Sequence, residues 1–285
     1  MASPTYDDIF EYARRVQSVS QEARDMFIIA TQNIDFDDWT TAAEELRTVI
    51  TQIVDYYGLA SSELGAQWYE YCHELGTGRG YTAIVGETSR YSVRSDVNAV
   101  LDKMFDGAID EHRALELLKG VVTDQVQKQA RDTILSNLND EYLEAKRLGS
   151  DTFAAQLGYA RVPVGDTCAF CIMLASRGFV YASERSASQT RLGNKYHPNC
   201  NCTVVPFTQA HTIPGYEGLL EKYERMYRDA DKARRSGNLP KELKKHIEVT
   251  RREHNERYMK GEASERWRSY NEITMIMRWQ NEGLH

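Results

Sequence analysis

Residues 165–171 read Gly-Asp-Thr-Cys-Ala-Phe-Cys, and residues 196–206 read Tyr-His-Pro-Asn-Cys-Asn-Cys-Thr-Val-Val-Pro. Together they hold all but one of the 5 cysteines in the chain. A tight turn in Cys-x-x-Cys brings two thiolates to one ion, and His-x-x-Cys-x-Cys can add donors from a second turn. The pattern therefore predicts a tetrahedral metal site, with zinc as the expected metal.

Five side chains compete for the four positions of such a site. Cys168, Cys171 and Cys200 are the first choices, and His197 and Cys202 are alternatives for the fourth position. Tetrahedral thiolate sites also accept iron, so the metal itself stays open. A structural role is expected, because a catalytic zinc keeps one position open for water and five nearby donors would fill it.

Two other uses of the cysteines stay open. Disulfides are less expected, because the N-terminus shows no signal peptide and a reducing cytoplasm rarely keeps such bonds. A thioredoxin-like redox pair would open a helix in a βαβ unit, which the sequence does not indicate. His197 could also serve as a nuclease base, but no companion set of metal-binding residues supports that role.

These residues also carry a family resemblance. Asp166 closely precedes the Cys-x-x-Cys, an apolar run with Gly and aromatic residues follows at 172–181, and His-Pro-x-Cys-x-Cys-Thr-Val-Val-Pro completes the order. This arrangement, from about residue 160 to 207, resembles the Mu F-like phage head morphogenesis domain. Two features depart from that family: Asn201 stands where Arg is common, and the polar segment 183–195 is longer than in compact versions.

The resemblance implies a function. It suggests a minor capsid protein of an actinobacterial tailed phage, acting near the portal in head assembly or DNA delivery. Portal and capsid proteins would be its partners, with phage DNA as a further candidate. The protein would reside in the phage head, and in the host cytoplasm during assembly. The alternative is a capsid maturation protease or another phage enzyme, although no Ser/His/Asp or Cys/His order supports catalysis.

Composition and charge narrow the function classes. Forty-one per cent of the 285 residues are hydrophobic, which predicts a globular chain of one large or two modest domains. No stretch approaches the roughly 20 apolar residues of a membrane helix, so no membrane partner is expected. Residues 1–212 carry a net charge of −10 and residues 213–285 carry +3. The acidic majority argues against a broad nucleic-acid-binding surface.

We expect a mainly α fold in three regions. They are a helical N-terminal region (1–155), a small α+β, zinc-knuckle-like Mu F module (156–212) and a charged helical C-terminal region (213–285). Apolar residues at three- and four-residue spacing predict helices over 9–19 and 97–105. Such spacing also predicts a long helix from Val122 to Tyr142 that ends near Gly149.

The segment between these helices contains glycines that we interpret as helix ends. An apolar stripe from Trp39 to Tyr57 predicts a helix that Gly58 would end, followed by a separate helix over 64–75. Residues 78–94 are predicted to form a loop. Cys72 lies in the predicted helix over 64–75 and is expected to be a core residue.

The remaining elements are shorter. Residues 158–164 and 204–207 predict two strands that flank the cysteine turns, with an exposed loop over 183–195. Three further helices are expected in the C-terminal region, with apolar anchors in the ranges 219–230, 243–249 and 267–279. We expect the apolar face of the last helix to pack within the protein rather than on a partner.

Overall fold

The first helices begin where the sequence supplies capping groups. Thr5 caps α1 (Tyr6–Thr31), because its hydroxyl oxygen accepts a hydrogen bond from the Asp8 backbone N at 3.2 Å and the Asp8 carboxylate accepts one from the Thr5 backbone N at 2.8 Å. Asp38 similarly caps α2 (Trp39–Thr77) by accepting from the backbone N of Thr40 and Thr41.

This computed structural model describes residues 2–154, 156–165, 168–176, 202–207, 212–260 and 266–281.

The remaining elements follow in chain order. They are α3 (Arg90–Phe105), α4 (Glu111–Arg147), α5 (Asp151–Ala154), β1 (Gly158–Pro163), α6 (Ala169–Ala175), β2 (Cys202–Phe207), α7 (Glu217–Ser236), α8 (Lys241–Met259) and α9 (Ser269–Gln280). The mainly α fold class is confirmed, as are the helices predicted around 9–19, 97–105 and 122–142.

Contacts divide the chain into two units. The first unit comprises Met1–Val164 and Phe179–Gly215, and the second comprises Gly165–Gly178 and Tyr216–His285. The predicted division into three regions (1–155, 156–212 and 213–285) stays a prediction.

Helix α4 is the centre of the first unit. One series of its apolar residues steps by four along the helix and is buried throughout, and α4 packs against α1, α2 and α3. Several polar side chains of α4 are also buried, so this helix is covered on more than one face. The apolar series is Ala114, Leu118, Val122, Val126, Ala130, Ile134 and Leu138.

The predicted helix end at Gly58 is wrong. Helix α2 is 39 residues long, continues through Gly58 and ends before Gly78, which has a left-handed φ of 68°. A Cβ on Gly58 would lie 3.0 Å from side-chain atoms of Gln129 and of Thr88, and a Cβ on Gly65 would lie 2.5 Å from the Ala130 carbonyl oxygen. Both glycines therefore serve close packing inside the helix rather than ending it.

The two predicted strands form an antiparallel pair, in which Gly158 lies opposite Phe207 and Pro163 lies opposite Cys202. The Trp68 indole Nε1 of α2 donates a hydrogen bond to the Val204 carbonyl oxygen at 3.1 Å. The same indole stacks on the Tyr12 ring of α1, with ring centroids 4.7 Å apart. One tryptophan thus fixes β2 against two helices of the first unit.

Short and amphipathic helices build the second unit. Helix α6 packs against α7 and α9, and α9 also packs against α7. Phe170 of α6 and Tyr270 of α9 make an edge-to-face contact with ring centroids 6.3 Å apart. Ile276 and Met277 of α9 are completely buried, as expected for a terminal helix that packs within the protein.

Candidate functional site

The structure describes three of the five predicted ligands. Cys168 is the N-cap of α6, and its Sγ accepts a hydrogen bond from the Cys171 backbone N at 3.4 Å. Cys202 is the first residue of β2 and is buried. His197 and Cys200 lie outside the described residues. The metal site therefore stays a prediction.

The surroundings of the Cys-x-x-Cys also bear on the redox interpretation. The motif follows β1 and opens α6, which is the local order seen in thioredoxin-like proteins. However, β1 pairs with β2 in antiparallel fashion, so the strands do not form a parallel βαβ unit. The local order alone therefore gives little support to a redox pair.

Cys202 lies beside a small cavity of the first unit. The cavity measures about 30 Å³ and has a partly polar lining that includes Tyr12, Gln17, Gln127 and Arg131. That volume holds roughly one or two water molecules, which is too little for an organic ligand.

A cluster of polar and aromatic side chains joins α2 to α4. His73 Nε2 lies 2.8 Å from Glu141 Oε1, and the Tyr69 hydroxyl donates to Glu141 Oε2 at 2.6 Å. His73 Nδ1 lies 3.1 Å from the Arg79 carbonyl oxygen. The Tyr81 ring packs against both aromatic neighbours, 4.9 Å from His73 and 5.2 Å from Tyr69 between centroids.

Burial shapes the electrostatics of this cluster. Burial, followed by the charge of Glu141, raises the pKa of the Tyr69 hydroxyl far above its ordinary value. The same two causes, with a contribution from Asp140, raise the pKa of Tyr81. Burial also raises the pKa of the Cys72 thiol well above its usual range, so this thiol stays protonated and unreactive. The prediction that Cys72 is a core residue is confirmed.

The cluster is suited to holding structure together. Both carboxylate oxygens of Glu141 are engaged, one by His73 and one by Tyr69. The side chains of His73 and Glu141 are only 8% and 11% exposed, so a substrate has little access to them. Sequence reasoning missed this cluster, because His73 and Glu141 are 68 residues apart and no local pattern links them.

Residues 79–89, which we call the strap, run from the end of α2 to the start of α3. The loop predicted over 78–94 is confirmed for residues 79–89, whereas residues 90–94 form the start of α3, where Ser89 accepts a hydrogen bond from the Ser92 backbone N at 3.3 Å. Polar side chains of α2 and α4 make four hydrogen bonds to its backbone. Glu70 accepts one from the Ala83 N at 2.9 Å, and Thr133 accepts one from the Gly86 N at 3.2 Å. Asn137 accepts one from the Ile84 N and donates one to the Ile84 carbonyl oxygen, each at 2.8 Å.

The spacing of these contacts indicates an extended strap. Ile84 contacts Asn137 and Gly86 contacts Thr133, so two strap residues advance as far as four residues of α4. Two residues of extended chain span about 6.6 Å. Four residues of α-helix span about 6 Å. The strap therefore follows α4 in register.

Comparison with known protein families gives a match, which covers most of the regions described above. A family model described as VG15 protein matches residues 3–230, which include the strap, the strand pair and most of α7. Comparison with curated proteins and with solved structures gives no match. Among the described residues, no helix is both long and apolar enough to cross a membrane. Because the family match covers well over half of its residues, the chain belongs to the VG15 protein family, a phage-associated family of virion-related proteins.

Proposed function

We propose that this chain is a minor capsid protein that acts near the portal in phage head assembly or DNA delivery. The observation that carries the proposal is the family match over residues 3–230. The Mu F-like order of residues 160–207 adds support, because that motif is typical of head morphogenesis proteins. Portal and capsid proteins are the proposed partners, and phage DNA is a further candidate.

Virion composition tests this proposal. A phage whose copy of the gene carries an early stop codon would be grown with and without a plasmid that supplies the tagged chain. We expect the tagged chain in purified virions, cross-linked to the portal protein, and few DNA-filled heads without the plasmid. Full-titre, DNA-filled particles that lack the chain would contradict the proposal.

A structural metal site is the second part of the proposal. Cys168, Cys171 and Cys200 are the proposed ligands, with His197 or Cys202 in the fourth position. Cys168 and Cys171 flank the first turn of α6, and their spacing suits two positions of a tetrahedral site. Zinc bound in this way would add stability, because the metal binds the folded arrangement of its ligands.

Metal analysis of the freshly purified, reduced chain tests this part. We expect one zinc ion per chain, which is lost in a Cys168→Ser, Cys200→Ser double variant and kept in Cys72→Ala. Separate His197→Ala and Cys202→Ser variants identify the fourth ligand. A wild-type chain without metal would contradict the site, and mapping of disulfides in virions would then decide between the alternatives.

A further inference from the structure

The outer face of the strap combines exposed apolar side chains on a backbone that is held in place. Asn137 binds both backbone polar groups of Ile84, so the Ile84 side chain stays outside the core and is 67% exposed. Val85 beside it is 38% exposed. Because the backbone is already fixed, little conformational entropy is lost when a partner covers these side chains.

Helix α2 carries a further exposed apolar side chain beside the strap. Two contacts mark the α2 residues that border the strap, namely the Asp55–Arg90 ion pair at 2.9 Å and the hydrogen bond from the Ala83 N to Glu70. Helical spacing places Leu59 and Glu63 on the same stripe between those contacts. Leu59 is 52% exposed. It follows Gly58, whose Cβ position would be 3.0 Å from the Thr88 side chain, so it adds an exposed apolar side chain beside the later part of the strap.

Acidic side chains surround this surface. Glu63 lies on the α2 stripe, Glu87 is on the strap, and the charge of Asp140 on α4 acts on the strap residue Tyr81. All three carboxylates are exposed, and none forms an ion pair with any residue that the structure describes. Two arginines lie at the ends of the strap: Arg90 is paired with Asp55, and Arg79 is an exposed positive charge, so the three carboxylates still leave a net negative rim.

On the α4 side, the nearest lysine is also engaged. Lys128 donates to the Ser92 hydroxyl at 2.8 Å and lies 3.8 Å from the Asp132 carboxylate. Its charge is therefore directed to Asp132 rather than to the three carboxylates around the apolar surface. The face consequently offers an apolar centre with a negative rim, and a negative rim repels nucleic acid and anionic lipid.

We propose that this strap face binds a cationic, amphipathic segment of a partner protein. Its aliphatic side chains would cover Leu59, Ile84 and Val85, and its lysines or arginines would pair with Glu63, Glu87 and Asp140. The proposal is independent of the head-assembly function, because it rests on the exposure and the charge of this surface alone. Apolar contact supplies the affinity, and the charges select the partner and speed the encounter.

Fluorescence polarisation with the full chain tests this binding. The probe is a labelled amphipathic peptide of about twelve leucines and lysines, long enough to follow a strap of this length. A lysine-only peptide of equal charge and a leucine–glutamate peptide of equal pattern are the comparison probes. We expect the leucine–lysine peptide to bind at least about tenfold more tightly than either of them.

Two variants of the chain locate the site. An Ile84→Ser, Val85→Ser variant and a Glu63→Gln, Glu87→Gln, Asp140→Asn variant should each weaken binding about tenfold. Their matched controls are Ile29→Ser, at a residue of α1 that is 55% exposed, and Glu22→Gln, Asp25→Asn, Glu45→Gln. Circular dichroism should show that all four variants keep the helical content of the wild type.

Several results would overturn the proposal. Equal affinity for the lysine-only peptide would mean that only net charge is sensed. Unchanged affinity in the Ile84→Ser, Val85→Ser variant would place binding elsewhere on the chain. Binding of a labelled DNA duplex to the chain that is lost in the Ile84→Ser, Val85→Ser variant would mean that this face accepts an anionic rather than a cationic partner.

Discussion

Helix α4 is buried on more than one face, whereas helix α8 is exposed along most of its length. In α4 the apolar series is completely buried along the helix, and polar residues such as Gln127 and Asn137 are buried with hydrogen-bond partners. In α8 only Leu243 and Ile247 are buried among its 19 residues. Both helices are rich in polar residues, so composition alone does not separate a central helix from a peripheral one. What separates them is whether distant residues satisfy the polar groups.

The largest expected effect tests this contrast directly. Leu118→Ala should lower the free energy of unfolding by about 2–5 kcal/mol, because neighbours on several helices prevent the cavity from closing. Ile247→Ala in α8 should cost less, since solvent and mobile side chains can fill the space. Chemical denaturation of both variants measures the difference. A larger loss for Ile247→Ala would reverse the contrast.

The contact between α2 and α4 gives the second prediction. Gly65→Ala should destabilise the chain by about 1–3 kcal/mol, because its Cβ would be forced against the backbone of Ala130. Gly120→Ala in α4 is the matched control, since a Cβ there meets nothing within 4 Å. That control should stabilise by about 0.5–1 kcal/mol through helix propensity. Equal effects of the two changes would show that α2 and α4 do not approach closely at Gly65.

The third and smallest effect depends on pH. Because the pKa of Tyr69 is raised in the folded state, the folded chain keeps this proton after the unfolded chain has lost it above about pH 10. The free energy of unfolding should therefore fall as pH rises beyond that value. Tyr69→Phe should make the fall shallower, and denaturation at several pH values measures both slopes. Parallel curves would contradict a buried Tyr69 beside Glu141.

The sequence predicted those elements whose signals are local. The four-residue steps of α4 and the strands around the cysteine turns are confirmed, because periodicity reports which face of an element is buried. The helix end predicted at Gly58 was wrong, because the sequence alone does not distinguish a glycine that ends a helix from one that allows a neighbouring element to pack closely. Only Gln129 and Thr88, which are distant in sequence, distinguish the two cases.

The candidate site was less accessible to sequence reasoning. The cysteine motif is a local pattern, yet two of its five predicted ligands lie outside the described residues, so the metal site remains a prediction. The His73–Glu141 pair and the Asn137 contacts to Ile84 have no local signature, because each joins residues more than fifty positions apart. These contacts can be recognised only once the packing of α2 and of the strap against α4 is known.

The strap also limits how the length of this segment can change during evolution. Each turn of α4 matches two strap residues, so inserting or deleting one residue between Ala83 and Gly86 would put the wrong backbone group opposite Asn137 or Thr133. A change of two residues would keep the alternation but would shift the strap by one helical turn. Family members that retain both polar side chains should therefore have straps of the same length, while insertions accumulate elsewhere in the chain.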